Sequence, residues 1–177
     1  MKTILSLNTI ACLVLFSAYA VAQQNPKLSD AEIAHAAVTA NQIDIDFAAI
    51  AKSKSSNADI LKFAETMAND HNAVIAQAVA LAKKLDVTPI NNDVRKKLAG
   101  DAEKTTKILR TTSKKNFDKV YIDNEVSYHK AVISAVEGLL IPETENLELK
   151  ELLQNVVPAL KVHLQHAEMV QKMFSEK

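Results

Sequence analysis

Ile60, Ala64, Met67, His71, Val74, Ala78, Leu81 and Leu85 follow one another in alternating steps of four and three without a break. That spacing stacks side chains on one face of an α-helix, and no strand or loop produces it over such a length. A helix with one long apolar face gains its stability by burying that face against partners. Partners are present in the same chain. Ile33, Ala37, Ala40, Phe47 and Ala51 form a shorter stripe, Phe117, Tyr121, Tyr128, Val132 and Ala135 another, and Leu149, Leu153, Val156, Leu160, His163, Ala167, Val170 and Phe174 a fourth. Only two glycines and four prolines interrupt 177 residues, which favours helix throughout.

Punctuation signals set the boundaries. Ser29-x-x-Glu32 is a capping-box pattern, so a first helix is expected over 29–53. The polar run 52–57 makes a turn, and the second helix spans 57–85. Pro89, within 86–91, ends it. Residues 92–112 read as a less apolar helix, with Val94, Leu98 and Ile108 widely spaced among charges. The third main helix is expected over 116–140, stopped by Ile141-Pro142, and the fourth over 144–174, kinked at Pro158. The fold expected is therefore all-α: a ferritin-like four-helix bundle with an additional crossover helix between helices 2 and 3.

The N-terminus predicts export. Lys2 precedes an apolar run from Ile4 to Ala18, and Ala18-Tyr19-Ala20 and Ala20-Val21-Ala22 are both small-x-small cleavage sequences. Residues 1–22 are read as a signal peptide, 23–28 as a flexible segment and 29–175 as the bundle domain, acting in the periplasm or secreted. Cys12, the one cysteine, leaves with the signal peptide, so no disulfide framework is expected. The remaining chain carries 20 basic and 21 acidic residues. It lacks the basic footprint of a nucleic-acid binder, and nothing after Ala22 is apolar enough for a transmembrane segment.

Chemistry is sought where polar residues break the stripes. Asp44 stands between Ala40 and Phe47, His71 between Met67 and Val74, and His163 between Leu160 and Ala167; Glu125 and His129, four apart, share a face of the third helix. Imidazoles and carboxylates converging inside a bundle are the donor set of a first-row divalent transition metal. Counted from the connecting turns, Asp44 and His71 differ in level by about 7 Å, and His129 and His163 by about 10 Å. One four-ligand site, two weaker sites and a hydrogen-bond network all stay open. Asp70, next to His71, reads first as an exposed carboxylate and second as a partner that orients an imidazole, His166 lies at the edge of its stripe, and His35 reads as a surface residue. Enzymatic chemistry finds little support: there is no Gly-rich phosphate loop and no G-x-S-x-G elbow. The Glu-x-x-His signature of di-iron proteins is also absent, since Ala68, Val126 and Leu160 stand three residues before the histidines.

Phe63-Ala64-x-x-Met67-x-x-Asp70-His71, Phe117-Asp118-Lys119-x-Tyr121 followed by His129, and Val157-Pro158-x-Leu160-x-x-His163-Leu164-x-x-Ala167 together resemble a family of bacterial exported proteins of unknown function, often labelled outer-membrane proteins. The resemblance runs from about Ser29 to Met173. It implies a ferritin-like bundle and carries no established reaction. Where its members commonly have a glutamate in the first helix, this chain has the shorter Asp44. Two functional classes follow: an envelope-stress protein binding metal through Asp44, His71, Glu125, His129 and His163, or a structural or partner-binding bundle whose core histidines only pack.

Overall fold

A computed structural model of the protein describes residues 27–175. The expected signal peptide, its expected cleavage positions and most of the segment 23–28 lie outside the described residues. The helices are α1 (Asp30–Lys54), α2 (Ala58–Lys84), α3 (Asp93–Thr111), α4 (Lys114–Ala135), a π-helical turn (Val136–Leu140), a short α5 (Ile141–Glu143) and α6 (Leu147–Ser175). The stretch from α4 through α5 is one rod, so the described residues form an all-α bundle of five helical rods. None of these helices is long and apolar enough to cross a membrane.

Local chemistry explains the ends. Ser29 and Glu32 form the full capping box at the start of α1. Asn57 accepts from the N–H groups of Asp59 and Ile60 at the start of α2. α2 stops before Pro89, by a different device: Asp86 takes a left-handed φ of 53°, and the N–H of Val87 reaches back to the Ala82 carbonyl at 2.9 Å, closing a Schellman cap. Asn92 caps α3 and donates to the Glu32 carbonyl at 2.9 Å, fastening the start of α3 to the start of α1. At the opposite end the Lys54 ammonium donates to the carbonyls of Leu109, Arg110 and Thr112 at 3.0, 2.7 and 2.8 Å. α3 therefore runs beside α1 in the same direction. The Asp30 carboxylate accepts from the N–H groups of Glu145 and Asn146 at 2.9 and 3.0 Å, and the Leu28 N–H donates to Glu143. These bonds fix the turn before α6 to the beginning of α1. α6 continues through Pro158, whose ring leaves the Gln154 carbonyl without its helical donor.

α1 packs on α2, α3 and α4, and α6 on α4 and α2. The core has two parts. One is dense and rich in large side chains: Phe47, Phe63, Met67, Phe117, Tyr121 and Ile122 are all almost fully buried. The other is aliphatic, built on Ile33, Ile133, Val136, Leu140, Leu149, Leu153 and Leu160. Beside this second part lies a cavity of about 620 Å³. Its walls include Ala34, Ala37, Ala78, Ala135 and Ala159, residues that continue an apolar stripe without the volume to fill a bundle interior. The α2 stripe is accordingly buried only as far as His71; Val74 and Ala78 are half-buried against the cavity. On α4 the buried line runs through Glu125, His129, Ile133 and Val136, leaving Tyr128 and Val132 half-buried and Ala135 exposed. A stripe counted in apolar residues passes beside a line that two polar residues occupy.

Candidate metal centre

The layer between the two parts of the core is polar. Asp44 on α1, His71 on α2, Glu125 and His129 on α4 and His163 on α6 are all buried, none more than 5% exposed. The level mismatch expected between them shrinks because the helices end elsewhere. The α4 rod runs on through the π turn to Glu143, and α6 begins only at Leu147. His129 and His163 then lie 14 and 16 residues from the connection, about 3 Å apart in level; Asp44 and His71 lie 10 and 13 residues from theirs, about 4.5 Å.

Each imidazole is anchored through one nitrogen. His71 Nδ1 lies 2.7 Å from Asn41 Oδ1; the Asn41 amide nitrogen donates to the Ala37 carbonyl, which fixes Oδ1 as the acceptor and His71 Nδ1 as the donor. His129 Nδ1 donates to the Glu125 carbonyl at 2.9 Å. His163 Nε2 lies 2.9 Å from Asp70 Oδ2. Of the three remaining nitrogens, His129 Nε2 and His163 Nδ1 are buried without a hydrogen-bond partner, and the buried His71 Nε2 lies against the Asp44 carboxylate. Ligand atoms of the three rings lie within 4.8 Å of one another, and the same holds for Asp44, Glu125 and His129. Asp44 Oδ2 stands 3.0 Å from His71 Nε2 and 3.4 Å from His129 Nε2. An acceptor lone pair facing a carboxylate at 3.0 Å requires positive charge, from a ring proton or from a cation shared by the group.

The electrostatics agree with that requirement. Burial pushes the Asp44 carboxyl up, but the hydrogen bond and charge of His71, with the charge of His129, outweigh it and hold Asp44 below the usual carboxylate range. Glu125 goes the other way: burial, reinforced by the Asp44 charge, raises it well above its ordinary value. It keeps its proton and can donate it to Asp44. Burial lowers His129 and His163, against the opposing pull of Asp44 on the first and of Asp70 on the second. Both rings therefore favour the neutral form, which is the metal-binding form.

All five sequence candidates fall in this layer. Asp70 reaches His163 on α6 and not its neighbour His71. Asn41 had no signal in the sequence reading. His166 lies outside the layer, edge-on to Phe63 with ring centroids 5.2 Å apart, and His35 ties the α2–α3 connection to α1 through the Ile90 carbonyl at 3.0 Å. Buried neutral imidazoles, each oriented by a second partner, together with a buried carboxylate suit a small divalent cation of the first transition row. The residues present fit such an ion.

Comparison with known proteins supplies a family and a fold. No curated protein matches the chain. Among solved structures it is similar to CopM in the Cu(II)-bound form, with a TM-score of 0.61 and 17% identity over 82% of this chain and 98% of that one; at this identity the likeness is one of fold. The model of the family described as Domain of unknown function (DUF4142) matches residues 17–170, and the chain belongs to that family.

Proposed function

We propose that this chain is exported to the periplasm or beyond, with residues 29–175 as a ferritin-like bundle that binds one divalent transition-metal ion in its core. His71, His129 and His163 are its nitrogen ligands, Asp44 is its carboxylate, and Glu125 supports Asp44 as a hydrogen-bond donor. The observation that carries the reading is the set of three buried imidazoles, each ring held through one nitrogen by a separate anchor, whose ligand atoms lie within 4.8 Å of one another with Asp44 beside two of them. A set of rings that only packed would satisfy its free nitrogens with protein acceptors. The role is binding, in handling or sequestering metal in the cell envelope, because no nucleophile or substrate-activating group accompanies the cluster. CopM, similar in fold and solved with Cu(II), makes Cu²⁺ the first ion to try and Zn²⁺ the second. The ferritin-like arrangement is supported by the pairing of α1 with α2 and α4 with α6, and by α3 crossing between the hairpins.

Calorimetric titration of tag-free mature protein tests the reading. Micromolar or tighter one-to-one binding is expected, lost by about 100-fold or more on His71→Gln, His129→Gln or His163→Gln and unchanged on His35→Gln. Affinity should also fall as pH drops through the imidazole range, near 6.5, since protons compete for the same nitrogens. A wild type that binds no ion, or a His35→Gln loss equal to the others, returns the protein to the structural alternative.

A further inference from the structure

The cavity beside the histidine layer is left unexplained by metal binding. All five long helices line it, its walls are mostly apolar, and Asp44, His71, His129 and His163 form part of its lining. Its volume, about 620 Å³, lies within the range of small-molecule sites, roughly 300–1,000 Å³. Along α1 it is lined from Ala34 to Phe47, on the order of 20 Å at the helical rise. The void is built into the sequence. Ala37, Ala78 and Ala159 project too little volume to close it, whereas the neighbouring half of the same bundle is filled by Phe, Met and Tyr.

We propose that this cavity holds an uncharged single-chain lipid, such as a long-chain alcohol, with its chain along the alanine-lined lumen. An elongated apolar space suits an unbranched chain. The polar lining chooses the head group. Uncharged Gln77 and Thr105 are among the lining residues, and a hydroxyl, both donor and acceptor, pairs with either. A carboxylate head would meet Asp44, Asp70 and Asp101 on the lining, whose one cation, Lys97, is already paired with Asp101 at 2.6 Å, and like charges brought together are unfavourable. The chain's apolar contacts need no bound cation, so metal-free protein tests the site separately from the metal reading.

The test uses metal-free mature protein and the neutral fluorophore phenylnaphthylamine. Saturable one-to-one binding is expected, displaced by dodecanol at a concentration at least tenfold lower than by dodecanoate. Ala37→Phe and Ala78→Leu, on different helices, should each weaken binding by tenfold or more while leaving the helical circular dichroism and melting temperature equal or raised, since they add volume to a void. If one variant fails to fold, the other decides. Absence of saturable binding, or binding indifferent to a folded filling variant, overturns the site; equal displacement by acid and alcohol overturns the head-group assignment.

Discussion

Glu125 is the residue whose protonation makes the clearest prediction. Its folded carboxyl is raised well above the ordinary value of 4.5 by burial and by Asp44. The unfolded chain releases that proton above about pH 4.5 while the folded chain keeps it, so the stability associated with Glu125 is fully present below that pH and falls as pH rises. Glu125→Gln keeps the shape and a donor for Asp44 and removes the titration. In metal-free protein the variant should gain on wild type as pH rises from 5 to 8, by at most about 1.4 kcal/mol per pH unit; urea denaturation at several pH values reads the gap, and a constant gap contradicts the assignment. Asn41→Ala should weaken metal binding about 10–100-fold through the loss of the His71 anchor, with titration as the check. These two residues also show how far the sequence was legible. Asp44, His71 and His163 could be found because each interrupts an apolar period. Asn41 could not, since a half-buried asparagine looks like any surface asparagine until α2 approaches it. Asp70 is exposed, as expected, and the ring it orients is that of His163 on α6, because adjacent helical residues point about 100° apart and His71 faces the layer.

Helix ends decide where the ligands meet. Lys54 binds three carbonyls at the end of α3 and lies 5.2 Å from the Phe117 ring, holding the crossover against α1 with a charge suited to a helix C-terminus. Lys54→Met keeps the apolar stem and removes these bonds; a loss of about 1–2 kcal/mol is expected in chemical denaturation, and a neutral result would mean that water replaces the lysine without cost. Four of the five rods were readable to within a few residues from caps and periodicity. The π turn at Val136–Leu140 was not, because its wider hydrogen-bonding pattern has no propensity signature. The run of the rod on to Glu143 and the start of α6 at Leu147 together bring His129 within about 3 Å of the level of His163, so helix ends that the sequence placed a few residues away help to unite the candidate site.

The bundle divides into a packed half and a hollow half, and truncations should respect that division. Phe63→Ala, in the packed half, is expected to cost about 3–5 kcal/mol, whereas Val74→Ala, on the cavity wall, should cost under about 1 kcal/mol because little packing is lost there. Thermal melts of both variants suffice, and equal costs would show the hollow half to be closed in solution. Hydropathy could not announce this asymmetry, since it scores alanine as a core former without regard to the volume it leaves. The histidine layer sits where the halves meet, and its three rings come from α2, α4 and α6, with 57 residues of chain between His71 and His129 and 33 between His129 and His163. A cation gripping all three would close two large loops at once in a domain that holds no cysteine. Such an ion acts on the unfolded chain as a removable cross-link, shrinking its conformational freedom much as a pair of disulfides would, so loading and stripping the ion could set how long the protein survives in its compartment.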